Sequence, residues 1–424
     1  MSRFIFTSYD FDASQLSARF NYAFDDGREF HEVVYFHQIA GQYDKDVLER
    51  ALFLAFVLVG SSYYKTFPTR QVEFSRHMID SWQADFFNMV YQEGLSQFAF
   101  ENELTRDDLA HFESSHDESL TSLEYSGEGV LALESGGKDS LLVASLLEEN
   151  GVAFTPWYVS SADDSPTVLH DFKEPLLSIK RVIDHDGLQQ AQVDDAMNGH
   201  VPVTYILESL AIIQAILLGK QKVVVSIAHE GEEAHDWIGD LPVNHQWSKT
   251  WEAEQVLAAY VEKYITPGLQ IGSPLRQYSE LKMAELFAEH AWKKYGHTFS
   301  SCNIINYKQG HMNATLKWCG ECPKCANSYL LFAPFIEASE LQSLFNGQDL
   351  FVKPLLAHTF KGLLGIDGVM KPFECVGEID ELRLAYHKAI AKGGYQPLPF
   401  EIPESSFDYE HLYPAQAWSV EMLQ

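Results

Sequence analysis

The chain has 424 residues, and 30 Lys and Arg against 60 Asp and Glu give it a formal net charge of −30 at pH 7. A hydrophobic content of 46%, with 13% aromatic residues, excludes a disordered chain, because that much apolar surface offsets the entropy lost on folding. The negative charge argues against nucleic acid and anionic membranes as partners, since both are bound through clustered Lys and Arg. We therefore expect an acidic protein of two or three domains that acts on small molecules.

The N-terminal stretch MSRFIFTSYDFDASQLS contains no apolar segment of the signal-peptide type, so we expect a cytoplasmic protein. The longest apolar runs, at 51–60 and 205–218, are shorter than the ~20 residues of a membrane span. We predict that both runs are buried helices and that the protein has no membrane partner.

Residues 1–120 are predicted to form an N-terminal α+β domain. Alternating apolar and polar residues predict strands at 4–6, 16–24 and 30–36, and the turn residues Asp25-Asp26-Gly27 join the last two strands into a hairpin. Helical periodicity follows at 43–59 and 79–98.

Residues 121–336 are predicted to form an α/β domain with a doubly wound parallel sheet. Apolar strands at 130–133, 154–159 and 223–227 alternate with helices at 140–149 and 203–219, which is typical of βαβ units. Ligands in such folds lie at the carboxyl ends of the strands. Residues 337–424 are assigned to a C-terminal extension, and the sequence does not indicate its role.

A glycine-rich hexapeptide follows the first of these strands and precedes a helix; its residues are Ser135, Gly136, Gly137, Lys138, Asp139 and Ser140. The glycines let backbone N–H groups converge on an anion, and the helix directs its positive end to the same point. Lys138 adds a charge, and Asp139 adds a carboxylate suited to Mg²⁺. The hexapeptide resembles the SGGxDS motif of the ATP pyrophosphatase (PP-loop) superfamily. The resemblance implies cleavage of ATP into AMP and diphosphate through an adenylated substrate.

Four of the five cysteines lie close together in the sequence, at Cys302, Cys319, Cys322 and Cys325. Their spacing fits a tetrahedral Cys₄ site, and a closed set of four thiolates predicts a structural zinc ion rather than a catalytic one. Cys375 stands alone, and we interpret it as a core residue.

The segment after the third strand of the α/β domain gathers groups that act as bases near neutral pH. We predict that His229, His235 and His245 carry the acid–base chemistry, with Lys249 as a further candidate. Arg276 and Lys282 lie near the start of a later helix, and we predict that they contact a phosphate or a substrate anion.

The hexapeptide, the string VNHQWSKT, the string CGECPKC and the strand-rich N-terminal part occur together in an acidic chain of this size. In this combination the chain resembles the UDP-N-acetylmuramoyl-L-alanyl-L-glutamate epimerases, a bacterial peptidoglycan-precursor family within the PP-loop superfamily. The resemblance implies that the terminal L-Glu of UDP-MurNAc-L-Ala-L-Glu is converted to D-Glu while ATP gives AMP and diphosphate.

Three alternatives remain open at this stage. A 7-cyano-7-deazaguanine synthase-like enzyme, or another ligase that adenylates a small carboxylate, would explain the hexapeptide and the cysteines but not the first 120 residues or the last 90. A tRNA-modifying enzyme of the same superfamily is disfavoured by the charge of −30. A non-enzymatic nucleotide-binding protein is disfavoured because Ser135, Asp139 and Ser140 are all present. The sequence leaves open whether the chain forms a homo-oligomer.

Overall fold

The computed structural model describes residues 2–37, 43–116, 120–161, 164–307, 314–413 and 418–423. The strands are β1 (Arg3–Asp12), β2 (Ser17–Phe24), β3 (Glu29–Tyr35), β4 (Gln71–Phe74), β5 (Val130–Leu133), β6 (Phe154–Ser160), β7 (Leu177–Ile183), β8 (Lys222–Val224), β9 (Asp236–Ile238), β10 (Leu241–Val243) and β11 (Gln270–Gly272).

The helices are distributed along the whole chain. They are α1 (Lys45–Tyr64), α2 (Ser81–Gln92), α3 (Ser96–Glu101), α4 (Lys138–Glu149), α5 (His185–Val193), α6 (Val203–Leu217), α7 (Trp251–Tyr260), α8 (Glu280–His290), α9 (Trp292–Tyr295), α10 (Asn303–Tyr307), α11 (Pro323–Phe332), α12 (Ala338–Ser343), α13 (Ala357–Leu363) and α14 (Ile379–Lys392).

Nine of the strands form one mixed sheet in the order β11-β8-β5-β6-β7-β3-β2-β1-β4, and β9 and β10 form a separate two-stranded sheet. The strands from β11 to β7 are parallel, whereas β7, β3, β2 and β1 pair antiparallel. The predicted α/β class, the parallel strands and the β2–β3 hairpin are confirmed. The sequence analysis did not predict that the N-terminal strands continue the parallel sheet; the domain boundaries at 120 and 336 stay predictions.

Both faces of the central strands are buried, as expected for a parallel sheet covered by helices. Because side chains alternate along a strand, Leu131 packs into one hydrophobic core while Val130 and Ala132 pack into the other. The first core contains side chains of β1–β3, α1, α2 and α6, and the second contains side chains of α4, α8, α11, α13 and α14. The C-terminal extension is therefore part of the second core.

Helix α1 is long and apolar enough to cross a membrane by length and composition, and 89% of its 18-residue apolar window is buried in the fold. Its neighbours are α6 and the strands β1 and β2. Helix α6 is also largely buried, so the prediction that the two apolar runs are buried helices is confirmed.

The parallel part of the sheet positions the candidate site. Strands β5, β8 and β11 are neighbours that run in the same direction, so the segments after them emerge at the same edge of the sheet. After β5, residues 134–137 contain the start of the hexapeptide, which continues into α4. After β8, residues 225–235 form the first part of the histidine-rich segment, which extends to Lys249. After β11, residues 273–279 lead to α8.

Candidate active site

The hexapeptide forms a tight turn at the start of α4. Gly136 has a φ of +80°, and a Cβ at this position would lie 2.7 Å from Cδ1 of Leu316, so both the backbone and the space require glycine. The hydroxyl oxygen of Ser140 accepts a hydrogen bond from the N–H of Ser135 at 3.2 Å, and the hydroxyl of Ser135 accepts one from the N–H of Gly137 at 3.3 Å. Among the described residues no side chain caps the N-terminus of α4, so the first N–H groups of this helix have no side-chain acceptor.

Lys138 is buried and lies between two carboxylates. Its Nζ contacts the carboxylate of Asp139 and lies 2.7 Å from Oε2 of Glu280, at the start of α8. Burial alone would lower the pKa of Lys138, but the charges of Asp139 and Glu280 outweigh it and raise the pKa. The side chain of Asp139 is 26% exposed, whereas that of Glu280 is 6% exposed, so Asp139 is the more accessible of the two carboxylates.

A second ion pair lies beside the first. Lys249 Nζ is 3.3 Å from Oε2 of the buried Glu230. Burial lowers the pKa of Lys249, but its electrostatic interactions with Cys375 and Glu230, and then with Asp139 and Glu280, raise it overall. The two lysines therefore belong to one group of charges that connects the hexapeptide with the histidine-rich segment.

Two glutamates in this group have a pKa close to neutrality. Burial raises the pKa of Glu280 to about 7, against the opposing charge of Lys138. Burial also raises the pKa of Glu381 to about 8, and one of its oxygens accepts a hydrogen bond from the N–H of Leu281 at 2.5 Å. The sequence analysis missed both residues. Glu280 could have been found as a carboxylate in the first turn of the helix after β11. No feature of the sequence indicated Glu381.

Arg276 is 1% exposed, and its guanidinium group is occupied by protein partners. It donates to Glu254 Oε2 at 2.8 Å and to the backbone oxygens of Ala228, Lys249 and Thr250 at 2.8, 2.7 and 3.1 Å. These bonds tie the segment after β8 to the start of α7. For Arg276 to contact a ligand anion, as predicted, some of these hydrogen bonds to the protein would have to be replaced by bonds to the ligand.

Lys282 lies in the first turn of α8 and also has protein partners. Its Nζ is 2.6 Å from Glu285 and 2.8 Å from Glu410, both carboxylates. These ion pairs neither support nor exclude a contact between Lys282 and a ligand anion, so that contact stays a prediction.

The three predicted histidines fall into two places. His229 stacks on Tyr413, with ring centroids 3.4 Å apart, and its backbone N–H donates to the oxygen of Tyr278. His235 and His245 lie together, with ring centroids 6.5 Å apart. Burial lowers the pKa of each of the three to about 4, so each is neutral at pH 7.

The pair His235 and His245 has two further neighbours that the sequence analysis missed. The ring of His200 lies 4.4 Å from that of His245, and Sγ of Cys375 lies 3.8 Å from Nε2 of His245. Cys375 is partly exposed, so its interpretation as a simple core residue does not describe its surroundings. It comes from the C-terminal extension, more than a hundred residues after the histidines, and no local pattern indicated this contact.

The four predicted cysteine ligands form one cluster. Their sulfur atoms all lie within 4.8 Å of one another, and three of the S···S distances are 3.7, 3.7 and 3.5 Å. Tetrahedral zinc with Zn–S bonds of about 2.3 Å places its sulfurs about 3.8 Å apart, so the cluster has the size of a metal site. Cys302 belongs to it despite its distance in sequence from the other three.

Comparison with known proteins covers nearly the whole chain. The family model described as MurL N-terminal domain matches residues 1–273, and the one described as MurL C-terminal domain matches residues 298–399. A protein of Xanthomonas oryzae pv. oryzae is 32% identical over 390 residues, which are 91% of this chain and 85% of that protein. A protein of Salinispora tropica is 33% identical over 408 residues, 94% of this chain and 87% of that protein. Both are named UDP-N-acetyl-alpha-D-muramoyl-L-alanyl-L-glutamate epimerase.

Proposed function

The chain belongs to the MurL family, and from that premise we propose that it converts the terminal L-Glu of UDP-MurNAc-L-Ala-L-Glu to D-Glu in an ATP-dependent reaction. The similarity over more than nine-tenths of the chain to proteins named for this epimerisation carries the proposal. The substrate is a small molecule that carries a UDP group, and the requirement for ATP supports the cytoplasmic location expected from the sequence.

ATP would bind at the hexapeptide, as the resemblance to the PP-loop superfamily implies. The uncapped start of α4 supports this assignment, because it offers N–H donors to phosphate oxygens, and the left-handed backbone of Gly136 forms the turn before it. Lys138 and Asp139 flank the same turn. Asp139 is accessible enough to hold Mg²⁺, which would offset the charge of the phosphates when bound.

The adenylation step explains why an epimerase would need ATP. The α-proton of a carboxylate is weakly acidic, because the carbanion would lie beside an existing negative charge. Transfer of AMP to the α-carboxylate releases diphosphate, removes that charge and makes the carbonyl group electron-withdrawing. A base then removes the Cα proton, a proton returns on the opposite face, and water releases AMP from the product.

The acid–base groups would come from the histidine-rich segment. His229, His235 and His245 are neutral at pH 7 and so have a free ring nitrogen for the role of base, although their lowered pKa makes them weak bases in the ligand-free protein. Lys249 is charged and suits the stabilisation of an anion. Lys249 interacts electrostatically both with Asp139 of the hexapeptide and with His245, which supports a reaction centre near these residues.

The cysteine cluster would hold a structural zinc ion. Four thiolates close the coordination shell, so the ion would stabilise the segment before α11 and take no part in the chemistry.

The proposal is tested with purified protein, Mg-ATP and UDP-MurNAc-L-Ala-L-Glu. Diphosphate release is followed, and the product is hydrolysed for chiral analysis of its glutamate. We expect D-Glu to form only with ATP and together with AMP. The variants Asp139→Asn and His245→Ala are expected to lower the rate at least about 100-fold, whereas His358→Ala, at an exposed position on α13, serves as the control. Diphosphate without D-Glu would contradict the epimerase and redirect the search to other carboxylates.

A further inference from the structure

Four side chains contact one another in a row that ends at Cys375, namely Glu101, Gln97, His245 and Cys375. Gln97 on α3 donates from Nε2 to Oε1 of Glu101 at 2.8 Å, and its Oε1 lies 2.6 Å from Nδ1 of His245. Nε2 of His245 faces Sγ of Cys375 at 3.8 Å. The four residues come from α3, from the segment after β10 and from the C-terminal extension, so the fold assembles them from three distant parts of the sequence.

The contacts among these four side chains define which atoms donate and which accept in each hydrogen bond. Glu101 accepts the amide N–H of Gln97, which leaves Oε1 of Gln97 as the acceptor toward His245. A neutral histidine then carries its proton on Nδ1, and its Nε2 lone pair faces the thiol. Burial lowers the pKa of His245 to about 4 and keeps this ring neutral. A cysteine that faces an oriented histidine is a typical arrangement of a reactive thiol.

The backbone around Cys375 is held in place from both sides. Oε2 of Glu374 accepts a hydrogen bond from Nδ2 of Asn303 at 2.9 Å, and the backbone oxygen of Val376 accepts one from Nε2 of Gln246 at 3.1 Å. At the edges of the same segment, Lys371 Nζ lies 2.9 Å from Glu233. The C-terminal extension therefore presents Cys375 to the histidine-rich segment at a fixed position.

A positive charge is available for a thiolate at this position. Lys249 interacts electrostatically with Cys375, Glu230 and Asp139, and its Nζ lies 3.3 Å from Oε2 of Glu230. Through Lys249, Cys375 is therefore connected electrostatically to Asp139 of the hexapeptide, where the adenylated carboxylate would form. It is also the one cysteine that lies outside the cysteine cluster.

We propose that Cys375 is a catalytic residue that carries the proton on one face of the substrate Cα, with His245 and Gln97 as positioning residues. This inference rests on the proposed epimerase function. In one direction the thiolate takes the proton: the Cα–H bond breaks, an S–H bond forms, and the electron pair moves toward the carbonyl oxygen to give the enolate. A group on the opposite face then donates a proton to Cα, and both groups recover their protonation states by exchange with water. In the reverse direction the thiol donates its proton.

The test compares the two epimers of the substrate in D₂O with Mg-ATP. For the wild-type protein and for Cys375→Ala, three quantities are measured with each epimer: diphosphate release, deuterium at Cα and the chirality of glutamate. We expect Cys375→Ala to keep diphosphate release with both epimers and to lose epimerisation at least about 100-fold. It should still exchange the α-proton of one epimer, which faces the remaining group, and lose exchange with the other. A purely structural defect would not distinguish the epimers.

The control is Met370→Ala, an exposed side chain beside the same segment, which should match the wild-type protein. Cys375→Ser differs by one atom and replaces the alanine variant if that variant does not fold. Epimerisation within about threefold of the wild-type rate, equal exchange of both epimers, or loss of diphosphate release in a folded variant would each overturn the role of Cys375. If the wild-type protein itself forms no D-Glu, the proposed function fails instead, and the two failures are therefore distinguishable.

Alkylation of the zinc-loaded protein gives an independent measurement. Iodoacetamide should modify Cys375 while the four clustered thiolates are held by the metal, and ATP together with the substrate should protect it. Modification that is unaffected by the substrate would place Cys375 outside the reaction centre and would contradict the proposal.

Discussion

At the scale of a single residue, Arg276 shows that a buried cation can be fully engaged by groups of the protein itself. Sequence position near a helix start predicted an anion contact, yet its guanidinium group donates to Glu254 and to three backbone oxygens. A buried ion pair of this kind is costly to break, because the remaining charge is left without a partner in a low dielectric.

We expect Arg276→Ala to lower the free energy of unfolding by about 3–5 kcal/mol, measured by urea denaturation. Arg276→Lys should recover only part of this loss, because an ammonium group cannot reproduce the fork that serves several oxygens. Glu254→Gln should cost less than either, since its oxygen still accepts a hydrogen bond. A folded Arg276→Ala of unchanged stability with a raised KM for ATP would instead support a ligand contact.

Glu381 makes a prediction about pH. Burial raises its pKa from 4.5 to about 8, with a further contribution from Glu280, so the folded protein keeps the proton that the unfolded chain loses. The stability contributed by the protonated carboxyl group is therefore complete below pH 4.5 and is lost as the pH rises toward 8.

We expect Glu381→Gln to be stabilised relative to the wild-type protein by roughly 2–4 kcal/mol more at pH 8 than at pH 5, since one pKa unit corresponds to about 1.4 kcal/mol. Urea denaturation across this range provides the measurement. Glu29→Gln, at an exposed position on β3, should retain the wild-type dependence on pH. A constant difference between Glu381→Gln and the wild-type protein would contradict the raised pKa.

At the scale of elements, the cysteine cluster joins the residue before α10 to the residues around the start of α11. Cys302 precedes α10, and Cys322 and Cys325 lie at the start of α11. Such a cluster links the ends of a closed loop, and a metal bound there would contribute to the stability of the fold.

We expect about one zinc ion per chain by elemental analysis of the purified protein. Cys302→Ser should lose most of the metal and lower the melting temperature, because three ligands bind zinc less tightly than four. Cys375→Ser is the matched control, since it removes a thiol outside the cluster and should keep the metal. Full zinc retention in Cys302→Ser would exclude Cys302 as a ligand.

The elements that the sequence could predict are those that local patterns specify. The β2–β3 hairpin follows from alternation around Asp25-Asp26-Gly27, and β5 followed by α4 follows from an apolar strand before a glycine-rich turn. The pairing of β3 with β7 and the contact of Cys375 with His245 join residues that are about 150 and 130 positions apart. Such non-local contacts depend on the packing of the whole chain and leave no periodicity in the sequence.

On the scale of the whole molecule, the sheet passes without interruption from the N-terminal strands to the parallel strands. At the junction the buried Glu32 on β3 accepts hydrogen bonds from Nε of Arg181 on β7 at 2.6 Å and from the hydroxyl of Tyr63 on α1 at 2.9 Å. One hydrophobic core also contains side chains from both parts, such as Phe4 and Leu131. Residues 1–120 and the parallel strands thus share both hydrogen bonds and apolar packing.

We therefore expect one cooperative unfolding transition, in which β1–β3 and β5–β8 lose hydrogen-exchange protection at the same urea concentration. Glu32→Ala should lower the free energy of unfolding by about 3–5 kcal/mol, because it leaves Arg181 buried without its partner. Both regions should then lose protection together at a lower urea concentration. Glu73→Ala is the control: it removes an exposed partner of Arg3 at the β4 edge, where an ion pair contributes at most about 1 kcal/mol. Earlier loss of protection in β1–β3 alone would show that the N-terminal part unfolds by itself, and the continuous sheet would then join two separately stable units.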